Sequence, residues 1–294
     1  MKNILIVTGG AGFIGSNLIE ELLKFKKYQI ISLDNYSSGS SKNHATNSRV
    51  KYLNGHTKNT VKILKNYKNK IHTIFHFGEF SRIFQSFKKM KQCFDSNITG
   101  SLELFYFALD NKIKLVYSAT SASLGNNGGD SNLSPYAYTK AKNLELLENL
   151  KKWFNFKYEV IYFYNVYGPK QICVGDMATV VGIFEKHFKN KESLPVVRPG
   201  TQTRRFTHVK DTVNACLTAW RKNKNKHYSV ASNKSYSIIQ LANLFNTNIK
   251  YLPERKGERF LSALMPVNLN NKIIRLTAKI RLKDYISIFL KKNF

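Results

Sequence analysis

Ile4-Leu5-Ile6-Val7-Thr8-Gly9-Gly10-Ala11-Gly12-Phe13-Ile14-Gly15 is the stretch that decides the fold. Four apolar residues, three of them β-branched, read as a buried strand. Glycines at 9, 12 and 15 follow at once, and Leu18, Ile19, Leu22, Leu23 and Phe25 then recur at helical spacing. Such glycines permit a tight turn, close approach of backbone amides to a diphosphate, and close packing of helix on sheet. The helix start at Phe13 and Ile14 presents unpaired N–H groups and the positive end of the helix dipole to a doubly negative group. Gln29 to Leu33 returns to a strand that ends at Asp34, 19 residues beyond Gly15. A carboxylate there accepts hydrogen bonds from the adenosine ribose and repels a 2′-phosphate, so the expected ligand is a dinucleotide, NAD in preference to NADP.

Outward from this unit, strands are expected at 50–53, 71–77, 114–118 and 158–164, with helices at 97–109 and 136–154. Alternating short apolar runs and helical periodicity predict an α/β fold, a Rossmann-type doubly wound parallel sheet. Beyond Tyr167-Gly168-Pro169 the alternation loosens, with helices near 178–189, 238–245 and 281–294 and a strand near 194–197. The expected organisation is an NAD-binding domain over 1–166, with contributions from about 203–230. A smaller, partly interleaved α/β lobe over 167–294 would bind the substrate. Composition marks Gly125 to Asp130 as a loop.

The chain has 294 residues, 43% of them apolar and 13% aromatic, which excludes a disordered chain or a disulfide-stapled miniprotein. Lys and Arg number 47 against 18 Asp and Glu, a formal charge of +29. Such a charge suits nucleic acid, a membrane surface or an anionic substrate. The lysines are scattered, as on a solvated surface, and nucleic acid is not expected as a partner. Cys93, Cys173 and Cys216 are far apart and form no CxxC pair, so a reducing cytoplasm is expected. The apolar run at 4–7 is too short for a secretory signal, and no stretch approaches the roughly 20 residues of a membrane span. His76 and His208 lack a second ligand at suitable spacing, so no metal is expected.

Chemistry concentrates in Ser134-Pro135-Tyr136-Ala137-Tyr138-Thr139-Lys140-Ala141-Lys142, which holds two Tyr-Lys pairs spaced by four. Each pair shares a helix face, but the two faces lie about 200° apart, so only one can look into a cofactor site. A phenol with a pKa near 10 is a poor base at neutral pH. A neighbouring ammonium, helped by a positive nicotinamide, lowers that value and lets the phenolate take a hydroxyl proton.

The chain as a whole resembles the extended short-chain dehydrogenase/reductase family, in its NAD-dependent nucleotide-sugar epimerase/dehydratase branch. The matching pieces are TGGAGFIG at 8–15, LDN at 33–35, FHFG at 75–78, SNITGS at 96–101, YSATSASLG at 117–125, SPYAYTK at 134–140, YFYNVYGP at 162–169, TRRFTHVKD at 203–211 and RKGE at 255–258. The resemblance implies that Tyr136 and Lys140 are the catalytic pair and that Thr120 bonds the reacting sugar hydroxyl. It places Gly9, Gly12, Phe13, Ile14, Gly15, Asp34, Asn35, Phe77, Gly78, Asn97 and Ser118 at the cofactor, beside Tyr136 and Lys140. Asn165, Arg204 and Arg255 fall at the substrate diphosphate. The implied reaction is 4-epimerisation of a UDP-hexose or UDP-N-acetylhexosamine through a transient 4-keto sugar, for surface polysaccharide synthesis. A homodimer built from the helices beginning near Asn97 and Tyr136 is implied as well.

Departures from the family pattern narrow the chemistry. Dehydratases of this branch carry an Asp-Glu pair after the Thr, where this chain has Ser121 and Ala122, and the Glu of the decarboxylases is also missing. Val174 stands before Gly175-Asp176-Met177-Ala178, where heptose 6-epimerases place a second base, a lysine. Glu79 occupies a normally small apolar position, and an ion pair with Arg82 is expected because an unpaired buried carboxylate is costly. Arg205 replaces a usual Asp, and Arg198 and Arg205 are expected to add positive potential or to be solvated. The competing readings are a dehydratase, decarboxylase or reductase of the same family, and a non-catalytic dinucleotide- or nucleic-acid-binding relative.

Overall fold

The computed structural model describes residues 2–254 and 273–293. Six strands build the body of the sheet: β1 (Ile4–Thr8), β2 (Gln29–Asp34), β3 (Val50–Asn54), β4 (Ile71–His76), β5 (Lys114–Thr120) and β6 (Tyr158–Phe163). Helices α1 (Phe13–Leu22), α2 (Thr60–Leu64), α3 (Ile83–Lys88), α4 (Met90–Phe94), α5 (Gly100–Asp110) and α6 (Pro135–Phe154) lie between them. The two remaining strands of the sheet come from His227–Ser229 and Ile273–Arg275. All pairings are parallel, and His227–Ser229 lies between β6 and Ile273–Arg275, beyond which β6 continues into β5, β4, β1, β2 and β3. The sheet therefore takes in residues further along the chain than the 203–230 contribution read from the sequence.

The period of two along β1 sorts its side chains to opposite faces. Ile4 and Ile6 join Ile74, Leu104, Phe105, Leu115 and Leu147 in one core, and Leu5 and Val7 join Leu18, Ile19, Val213 and Trp220 in another. Helices on both faces thus cover the sheet, which is why its strands read as unbroken apolar runs. Each fully buried aliphatic or aromatic side chain contributes roughly 1.5–3 kcal/mol of transfer free energy. A third core, with Tyr167, Phe184, Val196, Phe206, Leu241, Phe245 and Ile286, draws only on residues after 166.

Two local expectations change. The Gly125 to Asp130 stretch winds into 3-10 turns over Gly125–Asn132, a tight geometry that suits a short connector between a strand end and a helix cap. The helix expected from Asn97 begins earlier, because α4 runs through a π-turn at Asp95–Thr99 into α5.

Strand order reverses at β1, whose neighbours are β2 on one side and β4 on the other. A crevice opens outside the carboxyl ends of the strands at such a switch point. That crevice carries the site.

Candidate active site

One cleft of about 510 Å³ runs from the β1–α1 turn across the ends of β4 and β5 to the third core. All site residues read from the sequence line it except two. Asn97 is fully buried behind the wall, and Arg255 lies outside the described residues.

At one end, Gly9 has φ +68, and a Cβ there would stand 2.8 Å from the Phe77 carbonyl oxygen. A Cβ on Gly15 would stand 2.2 Å from the Gly9 oxygen, so α1 packs against the turn at a distance that only glycine allows. Helix α1 begins at Gly12 with no side-chain cap and no acid in its first turn, which leaves its amides to an anion from the cleft. Asp34 is buried at the end of β2; Oδ2 accepts from the Ala11 amide at 3.0 Å and Oδ1 from the Tyr36 amide at 2.8 Å. Burial raises its pKa and these amides oppose the rise. Asp34 thus braces the glycine turn while lining the cleft. A turn packed too closely for a Cβ at 9 or 15, an uncapped helix start and a carboxylate at the second strand end together fit NAD.

Helix α6 starts where it does because Ser134 Oγ accepts from the Ala137 amide at 3.1 Å and Pro135 occupies the first turn. This cap puts Tyr136 and Lys140 into the cleft, both buried. Tyr138 is 39% exposed, stacks on Phe94 and faces away with Lys142, which pairs with Glu145 at 2.7 Å. Burial pushes the Tyr136 phenol up to about 12; a Thr120 hydrogen bond and the Arg82 guanidinium pull it down, while Glu79 adds to the rise. The ammonium-assisted phenol expected from the sequence is therefore modified, because Lys140 is paired with Glu79. Ser118 turns its carbonyl to Lys140 and its hydroxyl to the His76 carbonyl at 2.9 Å.

The expected Glu79–Arg82 pair does not form. Glu79, its side chain 3% exposed, binds Lys140, and Arg82 donates instead to the Ser81 carbonyl at 2.9 Å and to the Met177 carbonyl. Asn97 bridges the loop after β4 to α6: Oδ1 accepts from the Phe80 amide at 2.7 Å, and Nδ2 donates to the Phe80 carbonyl and to Thr139 Oγ1. It shapes the wall from behind and does not line the cleft.

At the far end, Arg204 is buried on the strand Thr203–Arg205 and lines the cleft. Asn165 sits on the rim with φ +35, donating from Nδ2 to the Arg205 carbonyl at 3.1 Å. Arg205 itself turns aside to the Ser232 and Asn233 carbonyls at 2.5 and 3.0 Å, and Arg198 lies over the Tyr251 ring. Both clamp structure outside the cleft lining. Sequence reasoning read Arg82 as the partner of Glu79, although Arg82 lines the cleft, and it missed the run Met177–Val181 as a cleft wall. The Gly-Asp-Met-Ala segment was the available signal, but it drew notice only for its missing lysine.

A sequence model of the NAD dependent epimerase/dehydratase family matches residues 5–231. Among relatives, a UDP-N-acetyl-alpha-D-glucosaminuronate decarboxylase of Bacillus cytotoxicus is 28% identical over 260 residues, 82% of this chain and 79% of that protein. Among solved structures, the UDP-glucose 4-epimerase of Thermotoga maritima with UDP-glucose superposes with a TM-score of 0.86 at 26% identity, covering 98% of this chain and 97% of that one. The UDP-N-acetylglucosamine 4-epimerase of Methanobrevibacter ruminantium, in complex with UDP-N-acetylmuramic acid, gives 0.82 at 26%, covering 100% and 97%. With the family's pattern matched over most of its length and the cleft built as described, the chain belongs to the NAD dependent epimerase/dehydratase family.

Proposed function

We propose that this chain is a nucleotide-sugar 4-epimerase acting on a UDP-hexose or UDP-N-acetylhexosamine, with Tyr136, Lys140 and Thr120 as its catalytic set. One observation carries the choice within the family. Among the described residues lining the cleft, the only carboxylates are Asp34, at the adenosine end, and Glu79, which is tied to Lys140. Loss of water or of carbon dioxide needs further acid–base groups beside the sugar, whereas inversion at carbon 4 needs one group that takes a proton and gives it back.

NAD, when bound, supplies a reversible hydride acceptor. The side chains do the rest. Once ionised to the phenolate, the Tyr136 oxygen takes the C4 hydroxyl proton and returns it after the sugar has turned over, and Thr120 holds both that oxygen and the sugar hydroxyl. Arg204, with Asn165 at the rim, holds the diphosphate while the sugar rotates; a guanidinium suits it through charge-assisted paired bonds. Arg255 belongs to the same proposal by sequence alone.

We read residues 1–166, with about 203–230 and the sheet strand Ile273–Arg275, as the NAD-binding domain and the rest of 167–294 as the sugar-nucleotide lobe; the separate third core, drawn from that remainder apart from Phe206, supports this. A homodimer through α5 and α6 fits the exposed Leu102 and Tyr106, and a reducing cytoplasm fits three unpaired thiols. Among the described residues no helix is long and apolar enough to cross a membrane. A role in surface polysaccharide synthesis completes the proposal.

The test is incubation of the purified protein with UDP-glucose, UDP-galactose and their N-acetylated counterparts, with products resolved by anion exchange and mass. Interconversion without mass change is expected. Loss of water or carbon dioxide from the sugar overturns the 4-epimerase reading.

A further inference from the structure

We propose that Glu79 is the counter-ion and positioning residue of Lys140, locked from behind by a directional hydrogen-bond chain that starts under the glycine turn. The inference rests on reading Tyr136 and Lys140 as the catalytic pair. The geometry is specific. Lys140 Nζ donates to Glu79 Oε2 and to the Ser118 carbonyl, and it lies 4.4 Å from the centre of the Tyr117 ring. Glu79 Oε1 receives Ser101 Oγ at 3.0 Å, Tyr117 OH at 3.0 Å and Asn143 Nδ2 at 3.1 Å. Both side chains of the pair are at most 4% exposed.

Counting protons gives the chain its direction. Thr8 Oγ1 accepts from the Phe77 and Gly78 amides at 3.1 and 3.0 Å, so its single proton goes to His76 Nδ1, 2.8 Å away. The His76 proton then sits on Nε2, which donates to Ser101 Oγ at 3.0 Å, and Ser101 passes its own proton to Glu79. Burial holds His76 down at about 4, which keeps this tautomer neutral near pH 7. Every donor therefore converges on the carboxylate. Thr8 precedes Gly9 directly, so the network links the diphosphate cradle to the catalytic lysine.

A buried ammonium without a partner is costly, and a carboxylate in contact offsets that cost. The pairing also tempers the field that Lys140 exerts on the phenol. Titratable or charged groups facing the pair are His76 from β4, Tyr117 from β5, Cys93 from α4 and Tyr136 from α6, and Tyr136 in turn faces Arg82 from the loop before α3. Burial lowers the Lys140 pKa and Glu79 raises it, while Glu79 also raises that of Tyr136. Removing the charge at 79 thus moves both ionisations to lower pH.

A double-mutant cycle tests the pairing without any turnover. Glu79→Gln, which keeps the shape, should lower the unfolding midpoint by roughly 10 °C. Adding Lys140→Met should restore at least half of that loss, because no buried charge then lacks a partner. If Glu79→Gln does not fold, folding of the double variant supports the pairing. Additive losses, or a double variant that also fails to fold, overturn it. The positioning role is read separately, from the pH profile of turnover: both limbs of Glu79→Gln should move to lower pH by about one unit. A profile that loses height without moving shows a merely structural carboxylate. If no sugar nucleotide turns over while the cycle shows coupling, the functional reading fails and the pairing stands.

Discussion

Gly15→Ala puts the glycine argument at risk in a single atom. The added Cβ would lie 2.2 Å from the Gly9 oxygen and 2.9 Å from the Gly10 Cα, both backbone atoms of the turn. Ordinary contact starts near 3.4 Å, so α1 and the turn must part by about 1.2 Å. Neither partner is a flexible side chain that can swing away, and overpacking of this kind costs about 1–3 kcal/mol. At roughly 2–4 °C per kcal/mol for a chain of this size class, the midpoint should fall by about 2–12 °C. The same displacement carries the first amides of α1 away from the diphosphate, and losing one hydrogen bond to a charged group weakens binding by roughly 10–100-fold. Thermal unfolding with and without NAD, together with equilibrium dialysis of NAD, reads both effects. Unchanged stability and unchanged NAD affinity would refute the packing argument. Lost affinity at full stability would show instead that the Cβ meets the ligand.

Tyr136→Phe should abolish turnover while Tyr138→Phe leaves most of it, since only the first phenol faces the cleft; equal losses in the product assay would count against the assignment. Arg204→Ala should weaken UDP binding, measured calorimetrically, by roughly 10–100-fold, the range for a hydrogen bond to a charged group, with NAD affinity unchanged. His76 has its pKa lowered to about 4 from an ordinary 6.5, so the unfolded chain binds the extra proton between those values. Stability should therefore rise with pH across that window, by up to about 3 kcal/mol from this group alone. In a His76→Gln chain, denaturant unfolding should give a flatter pH dependence over the same window.

The sheet was legible because its strands are long enough to declare themselves. Ile4–Thr8 and Gln29–Asp34 are apolar runs bounded by Gly9 and by Asp34, and tertiary packing and local preference agree there. His227–Ser229 and Thr203–Arg205 have three residues each, too few to show a period, and their partners lie far away in sequence. The Tyr-Lys pair needed more than spacing, and the Ser134-Pro135 cap is what fixes its rotation. Glu79 was misassigned for a definite reason. Arg82 is still extended, with φ −134 and ψ 130, and α3 begins only at Ile83, so residues 79 and 82 share no helical face. The carboxylate instead reaches a lysine 61 residues away, a pairing that no local spacing encodes.

Because His227 pairs with Val160 and Ile273 with His227, the last strands of the sheet arrive on the ribosome long after its centre. Until then β6 offers an apolar edge with open N–H and C=O groups, the surface on which nascent chains stick to one another. The nucleotide cradle beside β1 is thus made early while the far margin of the same sheet is laid down last, and a chain cut short before residue 273 leaves His227–Ser229 as a bare, adhesive edge.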